Sequence, residues 1–317
     1  MKEMTIRLSA GTAAVAGLRT LRQDIKPTTA YLLIGEECQG QCAFCPQGQA
    51  SQGTSDFVSR IIWPRFHLPA ATAALKKAVH RGSFDRLCLQ VTQGPKTDEI
   101  CEAVLESLTA SGLAVSMSRS PERPIEIDKW RNLGVERMGL PIDAATRSIY
   151  DRVKGGSWEQ AQAGLRAAAL EFPGCVTTHL IIGLGETEEE AVGFLQAMAA
   201  LDISVGLFAF TPIKGTPLAK AAQPGIGTYR RIQVVRFLLA QGYDNLDVRF
   251  QRGKIVDFGM STSALARVLA SGEAFMTSGC SYCNRPYYNE KPRGIMYNHP
   301  WSLSKEEVRE CLEQMNE

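Results

Sequence analysis

The chain has 317 residues, 44% of them apolar and 21% charged, with a formal net charge of +2. This ordinary globular composition can bury a core, so disordered, collagenous and coiled-coil chains are excluded. Balanced charge without a basic stripe gives no support for a nucleic-acid partner, and no apolar run is long enough to span a bilayer.

In chain order, residues Met1–Thr20 lack the apolar core of a secretory signal, so the expected location is the cytoplasm. Residues 1–29 read as an N-terminal segment. Tyr31–Ile34 is a short apolar run ended by Gly35 and reads as a buried strand. Strands and helices then alternate. The pattern predicts helices over Pro69–His80 and Thr97–Ser111, with Ile100, Val104, Leu105 and Leu108 on one face of the second. Strands are expected at Asp85–Val91, Leu113–Ser118 and Val135–Ile142, with a short helix at Ile125–Asn132 between the last two. A helix over Trp158–Glu171 and a strand over Cys175–Ile182 follow. Thr187-Glu-Glu-Glu190 is a capping box that opens a helix running to Leu201. Ser204–Phe210 reads as a strand, Tyr229–Gln241 as a helix and Asp247–Phe250 as a last short strand. Repeated βα units predict a parallel sheet with right-handed crossovers, an α/β fold. The rhythm stops near Gly272, so a βα body over 30–271 and a C-terminal extension over 272–317 are expected. Ser304-Lys-Glu-Glu307 caps a final helix.

Nine cysteines stand at 38, 42, 45, 88, 101, 175, 280, 283 and 311. An odd count in a reducing compartment argues against a disulfide framework. Cys280-Ser-Tyr-Cys283 is a weak signal alone, whereas the triple Cys38/Cys42/Cys45 is rare by chance. It lies just past the first strand, the face where α/β barrels carry their chemistry. Three thiolates so close can hold three corners of an iron–sulfur cubane. A ferredoxin run would supply a fourth cysteine nearby, but the next one here is Cys88. One iron is therefore left open to a ligand, as in a catalytic zinc site. The alternative is a structural zinc loop with a distant fourth ligand.

Glu37-Cys38-Gln-Gly-Gln-Cys42-Ala-Phe44-Cys45 resembles the cluster loop of the radical S-adenosylmethionine (radical SAM) superfamily, in which an aromatic residue, here Phe44, precedes the third cysteine. The resemblance covers about Ala30–Phe250 and implies a partial, open parallel barrel of (β/α)6 TIM type, with SAM and substrate in its lumen. It further implies a 4Fe–4S cluster whose open iron binds SAM, and release of a 5′-deoxyadenosyl radical after an electron arrives from a reductase or ferredoxin. Leu140-Pro-Ile-Asp143 resembles the biotin synthase-like segment that touches the SAM ribose, with Asp143 as acceptor; capping of the next helix is the other reading of Asp143. His179-Leu-Ile-Ile-Gly183-Leu-Gly185-Glu186 resembles the fifth-strand turn, where glycines let backbone approach the adenine. Gln93, in Val91-Thr-Gln-Gly94, stands where other members bind the SAM amino group.

Biotin synthase draws sulfur from a second cluster. Cys88 matches its second-strand position, the third strand has no cysteine, and Thr177 takes the fifth-strand position with Cys175 on the same alternation face. Thr277-Ser278-Gly-Cys280-Ser-Tyr-Cys283-Asn-Arg-Pro-Tyr-Tyr288-Asn-Glu290, followed by Arg293-Gly-Ile-Met-Tyr-Asn-His-Pro300, resembles one partner of the two-protein lipoyl synthases. That likeness implies an auxiliary iron–sulfur cluster on Cys280 and Cys283, completed by Cys88 or Cys175, with Ser278 as an oxygen ligand. It implies sulfur insertion into an octanoyl chain on a lipoyl carrier protein or octanoyl-lysine peptide, together with a second synthase protein; charge balance and the lack of an apolar span leave no nucleic-acid or membrane partner expected. Biotin synthase acting on dethiobiotin, and a non-catalytic iron–sulfur or zinc protein, are the alternatives. Cys101 and Cys311 read as packing residues, and His179 as a hydrogen-bonded core histidine. Tyr287 and Tyr288 either line an acyl tunnel or pack the tail.

Overall fold

The computed structural model describes residues 4–108, 112–123, 125–290 and 294–317. The first three residues, the expected helix end at Ser111, and Arg293 of the tail motif lie outside the described residues. The elements are β1 (Thr5–Leu8), α1 (Ala10–Val15), β2 (Thr29–Ile34), β3 (Phe57–Val58), β4 (Ile61–Ile62), β5 (Arg65–His67), α2 (Leu68–His80), β6 (Arg86–Val91), α3 (Thr97–Leu108), β7 (Ala114–Ser118), α4 (Ile127–Asn132), β8 (Arg137–Gly139), α5 (Arg147–Val153), α6 (Trp158–Glu171), β9 (Val176–Ile182), α7 (Glu188–Ala199), β10 (Ser204–Ala209), α8 (Ile226–Ala240), β11 (Arg249–Gln251), β12 (Lys254–Asp257), α9 (Thr262–Leu269) and α10 (Lys305–Gln314).

β2, β6, β7, β8, β9 and β10 run parallel in that spatial order, so the expected α/β fold with a partial (β/α)6-type barrel is the fold of this chain. β2 is buried along its whole length, as a parallel strand covered on both faces must be. Thr187 and Ser304 form the two expected capping boxes. Cys101 and Cys311 are buried among apolar side chains.

Several elements differ from expectation. The N-terminal segment contributes a strand to the sheet that periodicity did not mark: β1 pairs antiparallel with β2 on one side and β5 on the other. The strand expected at Asp247–Phe250 does not join the barrel. β11 instead forms a hairpin with β12 through Arg252 and Gly253, both left-handed (φ 53° and 76°), as a two-residue primed turn requires. β8 is shorter than Val135–Ile142 because Pro141 cannot extend the ladder. α5 is a helix that the alternation pattern does not predict, opened by the Thr146 side chain, which accepts the Ile149 N–H.

The tail covers the free edge of β10. The Ser278 hydroxyl accepts the Leu207 N–H at 2.8 Å, and Asn289 Nδ2 donates to the Ala209 carbonyl at 2.9 Å. Both backbone groups point away from β9; the Leu207 N–H would otherwise be unpaired, and the Ala209 carbonyl would keep only the Thr211 hydroxyl at 3.2 Å. The same tail reaches the opposite wall. Thr29 Oγ1 donates to the Tyr282 carbonyl at 2.9 Å, and Arg86 Nε donates to the Ser281 carbonyl at 2.8 Å. The extension thus bridges the gap that six strands leave open. No helix among the described residues is long and apolar enough to cross a membrane.

β1 also fixes the loop after β2. Arg7 is buried and donates to the carbonyls of Gly35 (2.8 Å) and Ser55 (2.5 Å) and to Gln47 Oε1 (2.9 Å). Gln47 in turn donates to the carbonyl of Phe57 at 2.7 Å. Arg7→Met should therefore lower unfolding stability by about 1.5–3 kcal/mol, the worth of a hydrogen bond to a charged group. Backbone amides over 35–57 should also exchange faster with deuterium. Unchanged denaturation midpoint and unchanged exchange would show that Arg7 does not hold this loop.

Candidate active site

Alternation along the strands puts one set of side chains into the lumen. Thr29, Tyr31 and Leu33 face inward from β2, Arg86, Cys88 and Gln90 from β6, and Ser116 and Ser118 from β7. Thr177, His179 and Ile181 face inward from β9, and Gly206 and Phe208 from β10; together they line a cavity of about 310 Å³.

Cys38, Cys42, Phe44 and Cys45 close the end of this cavity at the C-termini of the strands. Their loop is folded on itself: the Cys45 N–H donates to the Cys42 carbonyl (3.1 Å), and the Gly48 N–H to that of Cys45 (3.0 Å). A Cβ on Gly48 would lie 2.7 Å from the Cys42 carbonyl oxygen, so the turn needs glycine there. Gln93 lines the cavity, and its backbone N–H points at Cys38 Sγ from 3.5 Å. Burial pushes the Cys45 thiol up to about 12, with Cys42 adding to the rise; Cys42 is raised by burial, against the pull of Lys154.

A second group of thiols lies toward the N-terminal ends of the strands. Cys280 and Cys283 come from the tail and Cys88 from β6, and all three line the same cavity. Burial pushes Cys88 up to about 12, and its neighbours Cys283 and Cys280 add to the rise. Ser116 lies directly across the register from Cys88 and donates its hydroxyl to the Leu87 carbonyl at 3.4 Å, and it eases the rise of both the Cys88 and Cys280 thiols. Tyr31 Oη lies 3.4 Å from Cys283 Sγ and accepts the Arg285 N–H at 2.9 Å. Tyr288 lines the cavity and packs its ring against Tyr31 at 5.4 Å and Trp63 at 6.2 Å. Ser278 also lines the cavity, but its oxygen already accepts the Leu207 N–H.

Among the described residues no three His, Cys, Asp or Glu side chains converge as one metal ion would require. A cubane makes a different demand, because each thiolate meets a different iron. Soft thiolates suit iron–sulfur clusters, and two sets of three thiols gathered in one desolvated cavity fit that chemistry.

Asp143 lines the cavity and does not cap α5, a role Thr146 fills. It is left-handed (φ 66°), and its Oδ2 lies 2.7 Å from Lys154 Nζ, with both side chains 9% exposed. His179 faces the lumen rather than the core, 3.9 Å from Asp143 Oδ1. Burial lowers its pKa to about 4, so it is neutral near pH 7.

Four expected site residues lie elsewhere. Gly183, Gly185 and Glu186 do not line the cavity. A Cβ on Gly183 would lie 2.8 Å from Pro224, and one on Gly185 2.8 Å from Arg152, so these glycines make room for the protein's own side chains. Glu186 accepts the backbone N–H groups of Gly183 (2.6 Å) and Leu184 (3.0 Å) and so holds the turn itself. Cys175 precedes β9 and is outside the cavity lining, because the lumen-facing positions of that strand begin at Thr177.

Arg86, Ser116, Lys154 and Arg285 are lining residues that sequence reasoning passed over. Arg86 was findable, since it shares the inward face of β6 with Cys88. Ser116 needs the β6–β7 register, and Lys154 and Arg285 sit on turns with no periodic signal.

The radical SAM superfamily model matches residues 32–198, more than half of the 317-residue chain. The mitochondrial biotin synthase of Arabidopsis thaliana is 29% identical over 280 residues, which cover 81% of this chain and 68% of that protein. A biotin synthase of Rhizobium rhizogenes is 24% identical over 201 residues; the match covers 62% of this chain and 60% of the length of that protein. The crystal structure of methylornithine synthase (PylB) shares the fold, with a TM-score of 0.51 at 19% identity over 74% of this chain and 68% of that one. The chain belongs to the radical SAM superfamily and is a radical SAM enzyme, of a family that works with a 4Fe–4S cluster and S-adenosylmethionine.

Proposed function

We propose that this enzyme inserts sulfur at unactivated carbon, converting C–H to C–S on a protein-bound octanoyl chain to form the lipoyl group. The observation that carries the reading is the second set of thiols, Cys88, Cys280 and Cys283, set into the same cavity as Cys38, Cys42 and Cys45. The tail that supplies two of them resembles one partner of the two-protein lipoyl synthases. In this reading Cys38, Cys42 and Cys45 hold the SAM-binding 4Fe–4S cluster, and Cys88, Cys280 and Cys283 hold an auxiliary one. When bound, SAM and the first cluster supply a 5′-deoxyadenosyl radical, and the auxiliary cluster supplies sulfur.

The chain's own residues shape where this happens. Gln93 and Phe44 border the SAM site beside the cysteine loop, and Asp143 offers a carboxylate to a ribose hydroxyl. Leu33, Ile181, Phe208 and Phe210 give the cavity an apolar lining that suits an acyl chain and keeps water from a reactive radical. A second synthase protein, an octanoylated carrier and a reductase or ferredoxin are the proposed partners. Nine free cysteines suit a reducing compartment, in keeping with the cytoplasm.

The biotin synthase relatives favour a second reading, sulfur insertion into free dethiobiotin. One experiment separates the two. Anaerobic protein is incubated with SAM, a low-potential reductant and either octanoyl-lysine peptide or dethiobiotin, with and without a candidate second synthase, and products are read by mass for added sulfur. Sulfur on the peptide supports the lipoyl reading, sulfur on dethiobiotin alone replaces it, and sulfur on neither overturns both.

The reconstituted protein should contain about eight irons, as two cubanes require. Cys280→Ala should abolish sulfur insertion while reductive cleavage of SAM stays measurable by release of 5′-deoxyadenosine. Cys42→Ala should abolish that release. If Cys280→Ala retains full sulfur insertion, the tail holds no sulfur source.

A further inference from the structure

The loop that carries Cys38, Cys42 and Cys45 is clamped to the end of α5. The Val153 carbonyl accepts the Ala43 N–H at 2.7 Å. Gly155 is left-handed (φ 67°) and lies so close to Gln41 that a Cβ there would meet its Oε1 at 2.7 Å. Between these two contacts Lys154 turns into the cavity. Its Nζ lies 2.7 Å from Asp143 Oδ2, 3.3 Å from the Pro141 carbonyl and 5.9 Å from the centroid of the Phe44 ring.

Burial by itself would lower the pKa of Lys154, but Asp143 and Cys42 outweigh it and keep the ammonium charged. The two charges are not placed alike. Lys154 lies under Phe44, within the cysteine loop, whereas Asp143 leans its other oxygen toward the neutral His179. A buried ion pair is a poor device for stability, because desolvation offsets most of its attraction. Its position at the clamp between α5 and the cysteine loop, near Phe44, calls for another use.

We propose that Lys154 is a positioning residue for the electron that enters at the cysteine loop: its charge, opposed by that of Asp143, sets how readily the group held by Cys38, Cys42 and Cys45 is reduced. This rests on the reading that those cysteines hold a 4Fe–4S cluster. Three thiolates leave such a cluster anionic. Reduction takes one electron from a low-potential one-electron donor, breaks no bond and adds one more negative charge. In a desolvated cavity a fixed cation favours that added charge and a fixed anion disfavours it, with little screening by salt.

The test is a redox titration of the reconstituted protein without SAM, using mediators under anaerobic conditions and following visible absorption and the EPR signal of the reduced cluster. Lys154→Met should move the midpoint to a more negative potential. Asp143→Asn should move it to a more positive one, and Lys154→Arg should restore the wild-type value. Opposite signs are the signature of charge, since a loosened loop would move both variants the same way. The double variant D143N/K154M removes the pair without leaving a lone buried charge and should fall between the two single variants. Unchanged midpoints in both single variants at full iron content, or shifts of the same sign, would overturn the proposal. A wild-type protein that takes up no iron would overturn the cluster reading instead.

Discussion

Six parallel strands cannot close a barrel by themselves, and an edge strand left inside a protein carries backbone groups with nowhere to bond. At the free edge of β10 the Leu207 N–H is such a group and Ser278 of the tail satisfies it, while Asn289 of the tail joins Thr211 on the Ala209 carbonyl. The segment between Ser278 and Asn289 must then cross to the far wall. There it is held by Arg86 through Ser281 and by Thr29 through Tyr282, and on the way it delivers Cys280 and Cys283 opposite Cys88. Closing the sheet and assembling the second set of thiols are therefore one structural event.

That crossing is sharply bent. Gly279, Tyr282, Arg285 and Tyr287 all have positive φ, at 118°, 63°, 38° and 61°. Three of the four are not glycine, and such backbone persists only where surrounding contacts over-determine it. The contacts are present: Tyr31 Oη accepts the Arg285 N–H, Arg285 donates to the Ser278 carbonyl at 2.7 Å, and its guanidinium stacks 3.9 Å over Phe208. The strain belongs to a loop that places thiols at fixed points rather than to one that moves.

The cavity is also organised by charge. Thiols pack at both ends of an apolar chamber, where burial opposes their ionised forms. Each set has a buried cation beside it, Lys154 at one end and Arg86 at the other. The two cations are held differently. Lys154 is paired with a carboxylate as buried as itself, whereas the carboxylate nearest Arg86, Glu136, is 47% exposed and well solvated. Arg86 Nη1 has no hydrogen-bond partner among the described residues, so its two N–H donors are left over after Nε and Nη2 bond Ser281 and Glu136.

What the sequence by itself determined is what lies in short-range order. Periodicity marked the six βα strands because each buries one face or both, and the capping boxes at Thr187 and Ser304 are local chemistry. The spacing of Cys38, Cys42 and Cys45 confines three thiols to one turn wherever the rest of the chain goes. The neighbours of Cys88 were not legible in that way. Its approach to Cys280 and Cys283 depends on a tail nearly two hundred residues away in sequence bonding to the unpaired edge of β10, and Ser116 joins it only through strand register. Cys175 shares its alternation face with Thr177 but precedes the strand, so the start of β9 decided that it stays outside the lumen. Gly183 and Gly185 have the look of a ligand turn, yet the space beside them is filled by Pro224 and Arg152. Only tertiary packing could say which atoms occupy the room a glycine leaves, because the local pattern is the same whether a ligand or a side chain fills it.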